Sequence, residues 1–156
     1  MTALLTVNAV YFLFGATIYC GVMWALKVFF YPSWHGMTVD TVQTHFIIPT
    51  DAATRFFTVV VPIMHLSAIV MIVTEWGNPQ PMIAAFVALL GIITSTLVGQ
   101  LLIIPINKRI KAGVADNKTL RPLLIEWMRL NTIRWVIVTF MWAATVWYFV
   151  TSTRIG

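Results

Sequence analysis

The chain has 156 residues, of which 60% are hydrophobic, 13% aromatic and only 10% charged, and its mean hydropathy is +0.88. A soluble domain carries about a quarter charged residues, so a disordered chain, a disulfide-built secreted domain and an ordinary cytosolic enzyme are excluded. The net charge of +5 is gathered beside apolar stretches rather than spread over a polar face, which points to a membrane and away from nucleic acid.

A bilayer core is crossed by about 20 mostly apolar residues in a helix. Four stretches meet this, at residues 4–30, 56–73, 82–104 and 123–150. They predict an all-α integral membrane four-helix bundle, a single domain over residues 1–156 whose first partner is the lipid bilayer. No Lys or Arg precedes the first stretch, so it reads as a retained span rather than a cleaved signal peptide. Cys20, the only cysteine, follows Tyr19, which does not fit a lipoprotein cleavage site; the thiol reads as a small packing group.

The connections differ in kind. The first, residues 31–55, opens with Tyr31-Pro32-Ser33-Trp34-His35-Gly36. Thr38 predicts the cap of a short amphipathic helix ending at His45, and Pro49-Thr50-Asp51 predicts a turn into the second span. Glu75-Trp76-Gly77-Asn78-Pro79 predicts a tight turn between spans two and three, and Pro122 fits the first turn of the fourth helix. Lys27, Arg55, Lys108, Arg109, Lys111, Lys118, Arg121, Arg129 and Arg134 flank the first and third connections, and Arg154 is the exception. The positive-inside rule then places loops 31–55 and 107–121 in the cytoplasm and both termini outside, with a bacterial inner membrane as the expected location. Trp76, Trp142 and Trp147 suit the interfacial belts.

Polar side chains at membrane depth face the bundle interior and are functional candidates. At about 100° per residue, Trp127, Asn131, Arg134 and Thr145 share one stripe of the fourth span. Arg55, Thr58, Pro62 and His65 share a face of the second, with His65 near mid-membrane. Thr96, Gln100 and Asn107 share a face of the third, where Pro105 bends the end of the helix. Asn8, Tyr11, Gly15 and Tyr19 share a face of the first. One stripe per helix predicts a common interior pocket, deepest at the cytoplasmic side. Interhelical hydrogen bonding is the simpler role for each of these residues alone. Arg134 asks for more, because a buried guanidinium needs an anionic or carbonyl partner and no acidic residue lies deep in a span.

The histidines His35, His45 and His65 are the metal candidates, although no His-x-x-x-His or Glu-x-x-His pair is present. Haem on His65, or a single metal, are the cofactor options, and the sequence requires neither. Gly-x-Ser-x-Gly and phosphate-binding glycine loops are absent from the sequence.

Two segments carry a resemblance. One is Ile104-Pro105-Ile106-Asn107-Lys108-Arg109-Ile110, and the other is Trp127-Met128-Arg129-Leu130-Asn131-Thr132-Ile133-Arg134. Together they resemble the anthrone-oxygenase-like family of small four-helix membrane proteins, most of which have no assigned activity. Ile106 stands where that family often has Thr, and Asn131 where many oxygenase members have His. The resemblance implies an oxidoreductase that oxygenates a lipophilic aromatic or quinone-like compound. The pocket then needs a base and a cation beside the developing oxyanion. His65, Arg134 and Asn131 are the catalytic candidates, and Trp127, Asn107, Gln100, Arg55 and Tyr19 the substrate-binding ones. The alternative expectation is a non-enzymatic small subunit or scaffold, as a homo-oligomer or within a larger membrane complex.

Overall fold

A computed structural model describes residues 2–153; Arg154 lies outside them. The described residues are helical and form no strand. Helix α1 (Thr2–Ala25) runs through a π-helical turn, Leu26–Phe30, into α2 (Tyr31–Trp34). A second π turn, Gln43–Ile47, leads into α3 (Ile48–Thr74). Helix α4 (Pro79–Val98) continues through a third π turn, Gly99–Ile103, into α5 (Ile104–Lys111), and α6 (Asn117–Thr151) completes the bundle. These elements make four rods, Ala3–Trp34, Gln43–Thr74, Pro79–Lys111 and Asn117–Thr151, of 32, 32, 33 and 35 residues, each long and apolar enough to cross a membrane. At 1.5 Å per residue each is about 50 Å long, well beyond the roughly 30 Å hydrocarbon core, so their ends reach into the head-group layers. The chain is an integral membrane four-helix bundle.

Each π turn is followed, two residues after its end, by a proline: Pro32, Pro49 and Pro105. A proline ring clashes with the carbonyl four residues earlier and offers it no N–H. Those carbonyls belong to Val28, His45 and Leu101, each inside a π turn. The wider π winding makes room for the ring while the rod continues.

This corrects three expectations. Thr38 does open a helical turn, accepting at its carbonyl from the Val42 N–H at 2.9 Å, but the helix does not stop at His45. Pro49-Thr50-Asp51 lies inside the continuous second rod, because the π turn absorbs the proline. The fourth helix starts earlier than Pro122. Asp116 is its N-cap, with a side-chain oxygen accepting from the Thr119 N–H at 2.8 Å. That bond above all, with others from the first turn, holds the Asp116 carboxyl below its usual range.

The first rod packs on the second and fourth, and the third packs on the same two. The α4–α6 interface is the most extensive. Ala84, Ala88, Gly91 and Ser95 put small residues on one face of α4. A Cβ at Gly91 would come within 2.7 Å of the Met141 Cβ. One core cluster, including Phe12, Met64, Met71, Ile92 and Met141, fills the half near the Glu75 turn and mid-bundle. A second, including Trp34, Phe46, Ile103, Ile110, Leu120 and Trp127, fills the basic end. Outside, Leu4, Phe14, Val59, Leu90 and Phe140 are exposed, which lipid tolerates and water does not.

The ends are tied differently. At the basic end Lys111 pairs with Asp51, joining rods three and two, and Asn117 Oδ1 accepts from the Val39 N–H at 2.9 Å. At the opposite end Gly77 takes φ +88° in the tight turn, a conformation open to glycine. Glu75 sits in that turn, as expected, but it is fully buried. Its carboxylate accepts from Asn78 Nδ2 at 3.2 Å, from the Tyr148 hydroxyl at 3.4 Å and from the Ser152 hydroxyl.

Candidate functional site

Part of each polar stripe lines one cavity of about 820 Å³ in the basic half of the bundle, whereas Asn8, Tyr11, Gly15 and Thr145 lie outside it; all four rods contribute to the lining. Its polar end is a network built around Arg134. The guanidinium donates from Nη1 to Asn131 Oδ1 at 2.9 Å, from Nη2 to the Tyr19 hydroxyl, and from Nε to Ser95 Oγ at 3.4 Å. Tyr19 and Ser95 share a further hydrogen bond of 2.7 Å. The guanidinium also lies 5.4 Å from the Tyr19 ring centre, a favourable place for a cation. Gly99 leaves its backbone open to the fork: a Cβ there would meet the guanidinium carbon at 3.6 Å.

A chain of bonds fixes this fork. Asn131 Nδ2 donates to the Trp127 carbonyl at 3.0 Å, one turn earlier, and Trp127 Nε1 donates to Asn107 Oδ1 at 2.7 Å. The Trp127 ring is itself wedged among Trp34, Phe46 and Tyr31, at centroid distances of 5.2, 5.1 and 6.4 Å. Asn107 therefore positions Trp127, Trp127 positions Asn131, and Asn131 positions Arg134. Every partner of Arg134 is neutral, and among the described residues no carboxylate forms an ion pair with it. A guanidinium has five N–H donors, and the bonds above use three.

His65 lines the same cavity from the second rod. Its Nδ1 lies 2.8 Å from the Val61 carbonyl, which can only accept. The Nδ1 therefore carries the proton, and Nε2 is the acceptor in the neutral ring. Pro62 also lines the cavity and leaves the Thr58 carbonyl without its helical donor.

The cavity opens between the second and third rods. Thr54, Thr58, Pro62 and Leu66 recur every fourth residue along α3, all lining the cavity and all exposed, and Gln100 is the exposed lining residue opposite. The hydroxyls of Thr50, Thr54 and Thr58 each donate at 2.7 Å to the carbonyl one turn back, of Phe46, Thr50 and Thr54. This ladder hides three polar groups in the helix and turns methyl groups to the slot, so the mouth is acceptable to lipid.

The expected residues divide. His65, Arg134, Asn131, Trp127, Asn107, Gln100 and Tyr19 all line the cavity. Arg55 does not; it is exposed on the outside of α3, one position off the 54–58–62–66 column. His35 and His45 are exposed and outside this cavity, and among the described residues no group of three His, Cys, Asp or Glu is gathered to hold a metal. His35 lies in the turn after α2 and His45 in the π turn before α3, whereas His65 lies well inside α3. Ser95, Trp34, Thr50 and Thr54 belong to the site and were missed, whereas Thr58 was already on the expected face of the second span. The spacing of Thr50, Thr54 and Thr58 was a readable signal, whereas Ser95 is one residue from Thr96, and only the closeness of α4 to α6 selects it.

No family model, no curated protein and no solved structure matches this chain.

Proposed function

We propose that this protein is an intramembrane oxygenase that takes a lipophilic aromatic of the anthrone type, with one acidic carbon and one carbonyl oxygen. The observation that carries the reading is the Arg134 fork, held by neutral partners and turned to a large apolar cavity that also contains His65. A half-buried cation with no carboxylate partner among the described residues is suited to an anionic ligand oxygen. The cavity walls, among them Met23, Phe30, Phe57, Val61 and Ile103, suit fused rings.

The chemistry follows from the two polar ends. His65 Nε2 removes a proton from the substrate methylene carbon. The charge passes to the conjugated carbonyl oxygen, which Arg134 and its neighbours stabilise. The carbanion transfers electrons to molecular oxygen, and a carbon–oxygen bond forms. The peroxide takes the proton back from His65. Loss of the second carbon-bound hydrogen with cleavage of the O–O bond releases water and leaves a ketone. One CH₂ and one O₂ become one C=O and one H₂O, and the substrate carbon supplies all the electrons.

The same reading places the pocket in a bacterial inner membrane with loops 31–55 and 107–121 in the cytoplasm, supported by the Lys and Arg that flank them. The substrate reaches the site sideways from the bilayer, through the slot between the second and third rods.

The test is oxygen uptake with 1,8-dihydroxyanthrone by protein in lipid nanodiscs, above the rate without protein. His65→Ala and Arg134→Gln should each lower the protein-dependent rate by about 10²-fold or more, the ordinary scale for a lost base or oxyanion donor. Wild-type uptake no faster than empty nanodiscs would overturn the reading.

A further inference from the structure

A second cavity, of about 350 Å³, lies at the basic end, outside the pocket described above except for the shared wall of Trp34. Three basic side chains converge on it from two parts of the chain. His35 comes from the first connection, and Lys118 and Arg121 come from the start of α6. No acidic residue lines it. Among the described residues neither Lys118 nor Arg121 enters an ion pair. The Asn117 bond to the Val39 N–H at 2.9 Å holds the two segments together.

The placement is electrostatically unfavourable by itself. The N-terminal end of a helix carries a partial positive charge and favours acids. The first turn of α6 contains no acid and does contain Lys118, with Arg121 three residues on, on the same side of the helix. Asp116 answers part of this, but its side-chain oxygen is already bonded to the Thr119 N–H. Two cations, an imidazole and the positive end of a 35-residue helix thus face one hollow with no protein anion in its lining. A local rule broken in this way marks a site whose missing charge arrives with a ligand.

Position and shape give the class of that ligand. The start of α6 lies beyond the apolar part of the fourth span, at the level of lipid head groups. The hollow has a polar side, with Thr38 beside the cations, and an apolar side formed by Trp34 and Met128. We propose that this cavity binds a phosphate group, gripped by Lys118, Arg121 and His35, with the apolar wall taking up the glycerol and first acyl carbons of an anionic phospholipid.

Native mass spectrometry of the detergent-solubilised protein tests this. The probes are dioleoylphosphatidylglycerol, dioleoylphosphatidylcholine and inorganic phosphate. The cavity variant is Lys118→Ala with Arg121→Ala. The control is Lys108→Ala with Arg109→Ala, which removes the same charge from residues outside the cavity. The wild type and the control should retain phosphatidylglycerol over phosphatidylcholine, and the cavity variant should lose about tenfold or more in that retention, tenfold being the low end for a single charge-assisted contact. Retained phosphatidylglycerol assigns the phosphate to a lipid. Inorganic phosphate bound by wild type and control but not by the cavity variant, without lipid retention, assigns it to solution. Equal retention of every probe by wild type and cavity variant, or an equal loss in cavity variant and control, overturns the site.

Discussion

Arg134 and Glu75 are the two charged side chains that the bundle encloses most deliberately, and it treats them differently. Arg134 keeps spare donors and faces open space. Glu75 is closed in by three neutral donors and, among the described residues, forms no ion pair. Its role is to tie the turn between rods two and three to the end of rod four. Glu75→Ala removes the acceptor shared by Asn78, Tyr148 and Ser152, and should cost about 1–3 kcal/mol, the range for stranding buried polar partners. Glu75→Gln keeps one acceptor and should cost less. Thermal unfolding in detergent measures both, and equal midpoints for wild type and Glu75→Ala would contradict this role. At this scale the sequence was only partly legible. The stripe of Trp127, Asn131 and Arg134 follows from helical periodicity and is brought together. Arg55 shows the limit of that method, since one residue's step of about 100° separates the pocket wall from the lipid face. Glu75 looked like a turn residue because sequence locates a turn but not what folds over it.

The π turns decide what the rods present to the pocket. A π turn holds one extra residue, so everything after it is rotated by about 100° relative to an uninterrupted α-helix. In the third rod that rotation lies between Thr96 on one side and Asn107 on the other. It is the reason Asn107 reaches Trp127. Pro105→Ala removes the clash that sustains the π winding. The expected outcome is unchanged helical content by circular dichroism with weakened binding of 1,8-dihydroxyanthrone, because Asn107 no longer holds Trp127 and the Asn131–Arg134 arm loosens. Full binding in this variant would show that the π turn does not set the site. The existence of the four helices was legible in hydropathy alone, but their ends were not. Hydropathy reports where lipid begins, whereas the helices here continue past that level, from Val42 before α3 and to Lys111 after α4. Pro49 and Pro122 read as boundaries because a proline normally disfavours the helix before it. A π turn at one and the Asp116 cap six residues ahead of the other remove that meaning.

On the scale of the whole molecule, the bundle is asymmetric along its length. Near the Glu75 turn it is packed shut by methionines, alanines and one enclosed carboxylate. Towards the basic end the second and third rods part and leave the cavity with its slot. The rods are pinned again by Lys111 and Asp51 beyond it. On the proposed function, this arrangement would give a lipophilic substrate a sideways path to a fixed cation without crossing water. Composition announced the membrane and the stripes announced a shared interior, but the slot depends on how far two helices diverge, which no periodicity encodes.

The central claim is that Arg134 receives an acidic oxygen of a lipophilic aromatic in this cavity. Its most direct test is equilibrium binding of 1,8-dihydroxyanthrone to nanodisc-embedded protein under argon, followed by quenching of tryptophan emission, since Trp34 and Trp127 line the cavity. The wild type should bind saturably, and Arg134→Gln should bind about tenfold or more weakly, as expected for losing a charge-assisted bond of about 1.5–3 kcal/mol. Equal affinity in the two proteins would contradict the claim.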